Sequence, residues 1–285
     1  MTSIGCERTS LSVSVVNYYS DSTQLARTLH TLVVAATEAE ASGLLATMEI
    51  SLVNNGGCVD LDEFLSTLPG WLSVSILHQK ENLGFGRAHN VAVDRVVSDF
   101  HLILNPDVEL ARDSLSVALT WITSNPGAIV LAPKVVDPDG NLSYLCREKP
   151  TLGVLFLRAI GPACLRMAFR SELHRYEMRD IIDCGEVVWD PPVISGCFMF
   201  FRTDALKALG GFDPGYFLYF EDYDLSHRAA LSGRKAYVPA VRITHAGGGA
   251  ARKGIWHILM FCRSAVRYFA SYGFGRRVVV RSRGV

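Results

Sequence analysis

A carboxylate stands just beyond a strongly apolar segment near the middle of the chain. The segment reads LILNPDVEL, in which Asp107 follows Asn105 and Pro106. Proline cannot continue the hydrogen-bond ladder of a strand, so it fixes the point at which the chain leaves the sheet. A carboxylate placed there can bind Mg²⁺ or Mn²⁺ on a diphosphate, or it can be an ordinary turn-forming aspartate.

A second group of carboxylates lies in FLYFEDYDLSHR, where Glu221, Asp222 and Asp224 open an expected helix. Capping and a favourable interaction with the helix dipole account for one of them. Capping therefore does not explain why three carboxylates follow the aromatic loop. Burial beside aromatic rings raises the pKa of a carboxylate, which makes it a competent general base.

The segment NLGFGRAHN contains Gly84, Gly86, Arg87 and Asn90. It lacks the spacing of the dinucleotide fingerprint and of the ATP phosphate loop, so neither type of site is favoured. Its glycines still allow the backbone to approach a ligand closely. Arg87 then faces phosphate or sugar, or it simply packs on the helix.

His245 follows an expected strand and precedes three glycines, after which come Arg252 and Lys253. The histidine is either a metal ligand, a diphosphate contact or a structural side chain. The two cations either contact a diphosphate or belong to an ordinary charged surface.

Apolar runs and helical spacing alternate along the first 130 residues. Strands are expected at 11–17, 48–53, 74–78, 100–104 and 128–132, with helices between them. The pattern predicts βαβ units, that is, an α/β fold with a mainly parallel, Rossmann-like sheet flanked by helices. After an irregular stretch from 135 to 192, further strands are expected at 193–202, 235–238 and 241–244, and a helix at 222–231.

Polar side chains follow three of these strands. They are Asn17 with Tyr18, Asn54 with Asn55, and Asn105 with Asp107. Ligands of parallel α/β sheets bind beyond the carboxyl ends of the strands. The sequence therefore predicts a binding site at that edge.

Composition narrows the class of protein further. The chain has 285 residues, of which 49% are hydrophobic, so global disorder is excluded. Its 28 basic and 28 acidic residues cancel, which argues against nucleic acid as a partner. The seven cysteines are odd in number and form no CxxC pair, which favours a reducing, cytoplasmic location over a disulfide framework.

The two ends differ from the rest of the chain. Residues 1–9 are expected to be a frayed terminus without a signal peptide, and no transmembrane helix is expected. Residues 251–285 form an extension to the single domain at 10–250. There an apolar helix at 255–269 precedes Arg276, Arg277, Arg281 and Arg283. This end either binds an anionic membrane surface or docks on the protein's own core.

Taken in order, these motifs resemble family 2 glycosyltransferases, and more narrowly their bacterial rhamnosyltransferase-like branch. The segments that carry the resemblance are LSVSVVNYYS, SLVNNGG, ENLGFGRAHN, LNPDVEL, SGCFMFFRTDALKALGGFDPGYFLYFEDYDLSHR and ITHAGGG. They span roughly residues 11 to 250. The resemblance implies a GT-A fold, a nucleotide-sugar donor, a divalent cation (Mg²⁺ or Mn²⁺) and inversion at the anomeric carbon.

The resemblance also implies roles for individual residues. Asp222 corresponds to the catalytic base with Glu221 beside it, and Asp107 and His245 correspond to the metal side of the site. The remaining positions correspond to substrate-binding residues, namely Asn17, Tyr18, Asn54, Asn55, Gly84, Gly86, Arg87, Asn90, Asn105, Gly196 and Arg252.

Two departures concern the nucleoside site. The family usually has Asp-Asn after the second strand where this chain has Asn54–Asn55, and Thr-Tyr-Asn where it has Asn17 and two tyrosines. An amide oxygen can accept a hydrogen bond from uracil or thymine but lacks the charge of a carboxylate. Both departures bear on the identity of the donor.

The resemblance thus implies transfer of L-rhamnose from dTDP-rhamnose, or of a sugar from a UDP-sugar, to a polyprenyl-diphosphate-linked or oligosaccharide acceptor in cell-surface polysaccharide (O-antigen) synthesis. Peripheral association with the cytoplasmic face of the inner membrane and a homodimer stay open. The alternatives are a nucleotidyltransferase and a catalytically degenerate nucleotide-sugar-binding module. A nucleotidyltransferase would favour a basic, Gly-rich loop after the first strand, where this chain has NYYSDST.

Overall fold

The computed structural model describes residues 8–57, 59, 61–159, 161–247 and 254–273. In the first half, strands and helices alternate. They are β1 (Thr9–Asn17), α1 (Ser22–Ala41), β2 (Leu45–Asn54), α2 (Asp62–Ser66), β3 (Leu72–His78), α3 (Phe85–Val93), β4 (Phe100–Leu104), β5 (Val108–Leu110), α4 (Ser114–Ser124) and β6 (Ala128–Val136).

The second half begins with short elements and ends with longer ones. They are β7 (Leu142–Ser143), β8 (Cys146–Arg147), α5 (Leu152–Ala159), α6 (Ala163–Ala168), α7 (Arg170–Tyr176), α8 (Arg179–Ile182), β9 (Val188–Trp189), β10 (Val193–Ile194), β11 (Phe198–Arg202), α9 (Thr203–Ala208), α10 (Glu221–Ser232), β12 (Arg234–His245) and α11 (Ile255–Tyr272). Residues 1–7 and the basic tail lie outside the described residues, and β1 already begins at Thr9.

One sheet organises these elements in the order β3-β2-β1-β4-β11-β6-β12-β5. The four strands from β3 to β4 are parallel, as β6 and β12 are, whereas β11 runs antiparallel between β4 and β6. The expected α/β fold with a mainly parallel sheet is confirmed. Because Asn17 pairs with Asn54 in register, the carboxyl ends of β1 and β2 reach the same edge.

Helices cover both faces of the sheet. On one face, α1 and α4 bury apolar side chains such as Leu29 and Leu119 against β1 and β4. On the other, α3, α9 and α10 bury Val93, Leu206 and Leu225 in a second cluster. The strand β4 is buried at every residue, which explains why its sequence FHLIL is apolar except for His101.

Four buried polar side chains form a chain of hydrogen bonds that links β1, β4 and α3. Ser14 Oγ lies 2.7 Å from His89 Nδ1 and 2.8 Å from His101 Nε2, and Ser12 Oγ lies 2.7 Å from His101 Nδ1. Both histidines are buried. Burial lowers the pKa of each histidine to about 3, so both rings are neutral at physiological pH.

The structure corrects two sequence-based strand predictions. The single strand expected at 193–202 is interrupted between β10 and β11, where the chain turns at Gly196 to meet α10. The two strands expected at 235–238 and 241–244 are one strand, β12, whose register with β6 shifts between Val238 and Arg242.

The final helix, α11, has two different halves. Its later residues Ser264, Tyr268 and Phe269 are buried against the domain. Its first turns leave Ile255 and Trp256 about three-quarters exposed, at 70% and 74%. Among the described residues, none of the helices combines the length and hydropathy needed to span a bilayer.

Candidate active site

Asp107 and His245 are brought together by strand pairing. Asp107 directly precedes β5, which pairs antiparallel with β12 so that Val108 stands opposite His245. The Ala246 N–H donates to the Asp107 carbonyl oxygen at 3.0 Å. As a result, His245 Nε2 lies 3.2 Å from Asp107 Oδ1, with both side chains partly exposed.

This pair fits a divalent cation. Adjacent ligands of an octahedral Mg²⁺ lie about 3 Å apart, given metal–ligand distances of about 2.1 Å, and the observed oxygen–nitrogen distance is close to that value. Gly247 faces the pair, and a Cβ there would lie 2.5 Å from His245 Nε2 and 2.8 Å from Asp107 Oδ2. The chain thus leaves room beside two suitable ligands. No cluster of three or more metal-ligating side chains occurs among the described residues, so a cation here would take further ligands from phosphate or water.

Glu221 and Asp222 open helix α10, where the partial positive charge of the helix end favours carboxylates. The preceding residues Tyr219 and Phe220 take left-handed backbone angles, with φ of 71° and 67°. These angles turn the chain sharply, so that Glu221 points into the protein and is buried while Asp222 stays partly exposed.

Asp222 is held by two backbone donors. The Gly196 N–H donates to Oδ2 and the Tyr223 N–H donates to Oδ1, each at 3.0 Å. Burial raises the pKa of Asp222, while the bond from Gly196 and the positive charge of Arg147 oppose that rise. An oriented, partly exposed carboxylate with a raised pKa is suited to accept a proton from a hydroxyl.

Glu221 has a different environment. Burial, followed by the charge of Asp222, raises the pKa of Glu221 to about 8. Its Oε2 atom has no hydrogen-bond partner within the described part of the chain. At neutral pH, Glu221 is therefore mainly the protonated member of the pair and Asp222 the proton acceptor.

The turn between β10 and β11 lies between two pairs of side chains, the candidate metal pair Asp107–His245 and the acidic pair Glu221–Asp222. It is hydrogen-bonded to Asn105 on one side and to Asp222 on the other. Cys197 in this turn accepts a hydrogen bond on its carbonyl oxygen from the Asn105 N–H at 2.9 Å, and the preceding Gly196 holds Asp222. Burial raises the pKa of the Cys197 thiol to about 12, and the charges of Asp107 and Asp222 both add to the rise. The two carboxylates thus act on one thiol and belong to one region of the protein.

Asn105 also approaches the metal pair, with Nδ2 3.4 Å from His245 Nε2. Gly196 lies close to both neighbours, since a Cβ there would lie 3.1 Å from the Phe85 ring and 3.4 Å from Asp222 Cβ. Arg252 lies outside the described residues, so its expected role as a substrate-binding residue stays a prediction.

The glycine segment contacts the loop that leads to the acidic pair. Gly84 has φ +81°, and a Cβ there would collide with the Phe217 carbonyl oxygen, which accepts from the Phe85 N–H at 3.0 Å. A Cβ on Gly86 would lie 2.7 Å from Phe212 Cβ. The close approach that these glycines permit is thus to residues 212–217.

Two side chains of the same segment strengthen this contact. Asn90 Nδ2 donates to the Phe212 carbonyl oxygen at 2.8 Å, and its Oδ1 accepts from the Phe212 N–H at 2.9 Å. Arg87 Nε donates to the Pro214 carbonyl oxygen at 2.6 Å. The segment therefore positions the loop before α10, and its expected role in binding a nucleotide stays a prediction.

The three asparagines at the carboxyl ends of β1 and β2 are buried and hydrogen-bonded to one another and to nearby backbone. Asn17 Nδ2 donates to Asn54 Oδ1 at 3.0 Å, and Asn55 Nδ2 donates to the Gly84 carbonyl oxygen at 2.9 Å. Tyr18 and Tyr19 beside them are exposed, with their rings in edge contact at 5.1 Å. The asparagines shape this edge, and the tyrosines offer the surface on which a base could stack.

Sequence patterns missed a cation near Asp222. Arg147 Nη1 donates to the Tyr223 hydroxyl at 3.0 Å, and that hydroxyl lies 2.5 Å from the hydroxyl of Tyr176. Arg147 ends a two-residue strand and Tyr176 ends a short helix, so no periodic signal marked either residue.

Comparison with known proteins identifies the family of the chain. The profile of the family described as "Glycosyltransferase like family 2" matches residues 8–259. An N-acetylglucosaminyl-diphospho-decaprenol L-rhamnosyltransferase of Mycobacterium tuberculosis is 30% identical over 244 residues, covering 80% of this chain and 73% of that protein. Rhamnosyltransferase WbbL of Escherichia coli is 29% identical over 204 residues, covering 66% and 70%.

Solved structures with the same fold include glycosyltransferases with bound nucleotides. GalNAc-T7 with UDP, GalNAc and Mn²⁺ gives a TM-score of 0.58 at 17% identity, covering 84% of this chain and 43% of that one. The mannosyltransferase PcManGT of Pyrobaculum calidifontis with GDP-Man and Mn²⁺ gives 0.57 at 15% identity, covering 95% and 77%. The likeness shows that the fold is GT-A.

Proposed function

Because the chain belongs to glycosyltransferase family 2, we propose that it is an inverting rhamnosyltransferase that acts on a lipid-linked saccharide. That it transfers a sugar follows from the family. The choice of L-rhamnose, carried by dTDP or UDP, is supported by two rhamnosyltransferase relatives. The choice of a polyprenyl-diphosphate-linked acceptor is supported by the decaprenol named for one of them.

The observation that carries the mechanism is the environment of Asp222. Its carboxylate is oriented by two backbone N–H groups and is partly exposed, whereas Glu221 beside it is buried. Asp222 takes the proton from an acceptor hydroxyl as that oxygen bonds to the anomeric carbon. The bond from that carbon to the diphosphate oxygen breaks on the opposite face, which inverts the configuration.

Asp107 and His245 would hold Mg²⁺ or Mn²⁺ in this proposal. The ion, when bound, would neutralise charge on the departing nucleoside diphosphate. Asp107 and His245 are fixed independently of any ion, since the pairing of β5 with β12 sets their separation. The tyrosines after β1 would stack on the base, while Asn17 and Asn54 hold that edge in shape.

The exposed first turns of α11 support a peripheral position at the cytoplasmic face of the inner membrane. Ile255, Trp256 and Leu259 present apolar surface to solvent within two turns. Such a helix face inserts into the boundary between headgroups and acyl chains. An enzyme that modifies a lipid-linked saccharide needs this proximity.

Calorimetry with Asp107→Ala tests the metal side of the proposal. We expect the unmodified protein to bind dTDP or UDP more tightly with Mn²⁺ than without, and the variant to lose that difference. Asp113→Ala is the matched control, because Asp113 is an exposed carboxylate paired with Arg242 away from His245. Equal dependence on Mn²⁺ in Asp107→Ala and the unmodified protein would refute the assignment.

A further inference from the structure

A pocket rich in arginine lies among the short helices α5 to α8, which connect β8 to β9. Its volume is about 350 Å³, and it is lined by Arg158, Arg166, Arg170, Leu173, His174, Glu177 and Arg179. Four guanidinium groups thus surround one carboxylate. Glu177 pairs with Arg179 at 2.6 Å and with Arg158 at 3.5 Å. Arg166 and Arg170 are exposed, and Arg170 Nε donates to His174 Nε2 at 3.1 Å, so neither guanidinium is paired with Glu177.

The charges in the pocket are not balanced by the protein. Burial, and then the nearby charge of Arg147, lower the pKa of Arg158, which shows that positive groups crowd this region. Guanidinium groups bind phosphates through paired N–H donors. A pocket with this excess of arginine suits a ligand that carries several negative charges, such as a diphosphate.

The helices that carry pocket arginines also expose apolar side chains. In α5, which carries Arg158, they are Leu152 and Phe156; in α6, which carries Arg166, they are Leu165 and Met167, and Phe169 follows directly after α6. Exposed apolar side chains on the same short helices as the arginines suit a ligand that joins a phosphate to a lipid chain.

The pocket also connects to the active site through a layer of aromatic side chains. The Arg158 guanidinium lies 5.4 Å from the Tyr176 ring, and the Tyr176 hydroxyl meets that of Tyr223, the residue after Asp222. Arg147 bonds the same hydroxyl of Tyr223. Two tyrosine side chains, Tyr176 and Tyr223, therefore link the pocket to the helix that begins with the acidic pair.

We propose that this pocket binds the diphosphate of an isoprenoid-linked acceptor, with the isoprenoid chain leaving over the exposed apolar side chains of α5 and α6. The proposal rests on the proposed function, since it assigns a site to the acceptor of that reaction. It predicts that a diphosphate and an isoprenoid chain joined in one molecule bind better than either alone.

Titration of the full chain with farnesyl diphosphate, farnesol and inorganic pyrophosphate tests it. We expect farnesyl diphosphate to bind most tightly, and Arg166→Gln/Arg170→Gln to weaken that binding about tenfold or more, because charge-assisted bonds to phosphate are lost. The control Arg95→Gln/Arg112→Gln removes the same charge from two exposed arginines outside the pocket, and we expect unchanged affinity.

Three results would overturn the proposal. One is equal affinity for farnesyl diphosphate in the pocket variant and the unmodified protein. Another is an equal loss in both double variants. The third concerns the pocket variant Arg166→Gln/Arg170→Gln. If this variant loses binding to phosphatidylglycerol vesicles but still binds farnesyl diphosphate, the pocket would be assigned to lipid headgroups. Hydrolysis of dTDP-rhamnose by the unmodified protein tests the proposed function separately, because it needs no acceptor.

Discussion

Replacement of Asp222 by asparagine removes the proposed base while keeping the size of the side chain. The amide oxygen can still accept the hydrogen bond from Tyr223, but one of the two backbone bonds is lost, at a cost of about 1 kcal/mol in the free energy of unfolding. The protein should therefore fold and bind donor. Loss of a general base lowers turnover by about two to four orders of magnitude, which is about 3 to 5 kcal/mol of activation free energy.

Glu221→Gln is the matched control, because it changes the neighbouring carboxyl by the same chemistry. With a pKa of about 8, Glu221 is roughly ten times more often protonated than ionised at pH 7. Glutamine resembles that protonated form and carries no charge. We therefore expect Glu221→Gln to keep turnover within about tenfold of the unmodified enzyme, which is less than the loss of a base.

Single-turnover transfer from dTDP-rhamnose measures the chemical step directly in both variants. Near-normal transfer by Asp222→Asn, with a collapse in Glu221→Gln, would reverse the two assignments. Near-normal transfer by both variants would refute Asp222 and Glu221 alike as the base. Loss of donor binding in Asp222→Asn would show that the residue acts on the donor side.

Two further predictions concern stability. Burial holds the pKa of His89 and of His101 at about 3, below the ordinary value of about 6.5, so the unfolded chain binds more protons than the folded protein as the pH is lowered. The free energy of unfolding should therefore decrease by about 1.4 kcal/mol for each histidine between pH 7.5 and 5.5. Urea midpoints from pH 7.5 to 5.5 measure this, and His101→Asn should lower the slope while the exposed His30→Gln leaves it unchanged. Gly84→Ala should lower the free energy of unfolding by about 1–3 kcal/mol through backbone strain. The clash of the new Cβ with the Phe217 carbonyl oxygen should lower it further and reduce transfer activity. Gly140→Ala, which has φ +83° but open space around it, should show the strain alone.

Either stability prediction has a clear contrary result. A pH-independent urea midpoint between pH 7.5 and 5.5 would show that the buried histidines accept protons without cost. Equal losses of stability in Gly84→Ala and Gly140→Ala would show that the contact with Phe217 yields easily.

The sequence predicted the alternating half of the fold well because its strands are short, apolar and separated by regular helices. β4 and α4 were predicted with the bounds that the structure has. β5 was missed because three residues carry no periodicity, and its pairing with β12 is a contact across the whole domain. The break at Gly196 was missed for the same reason, since it depends on a hydrogen bond to a residue 26 positions away.

Residue types indicated candidate site residues wherever those residues fall together in one short motif. Strand exit and helix start indicated Asp107, Glu221 and Asp222 as candidates, and the family resemblance assigned their roles. Arg147 was not indicated, because its hydrogen-bond partner Tyr223 lies 76 residues further along the chain. The arginine pocket was not indicated, because it depends on how several short helices pack together. The asparagines after β1 and β2 were selected by position, yet their hydrogen bonds within the protein could be seen only in three dimensions.

The docked half of α11 reaches the loop before α10. Ser264 donates to the Leu218 carbonyl oxygen at 2.8 Å, and Arg267 pairs with Asp213 at 2.7 Å. Tyr272 donates to Asp224 at 2.6 Å, two residues after the proposed base. A fragment cut at residue 250 would lose all three fastenings, so the extension and the catalytic turn form one cooperative unit. The exposed Ile255 and Trp256 stand on the same continuous helix as these contacts, so the apolar surface that they present has a fixed position relative to the acidic pair.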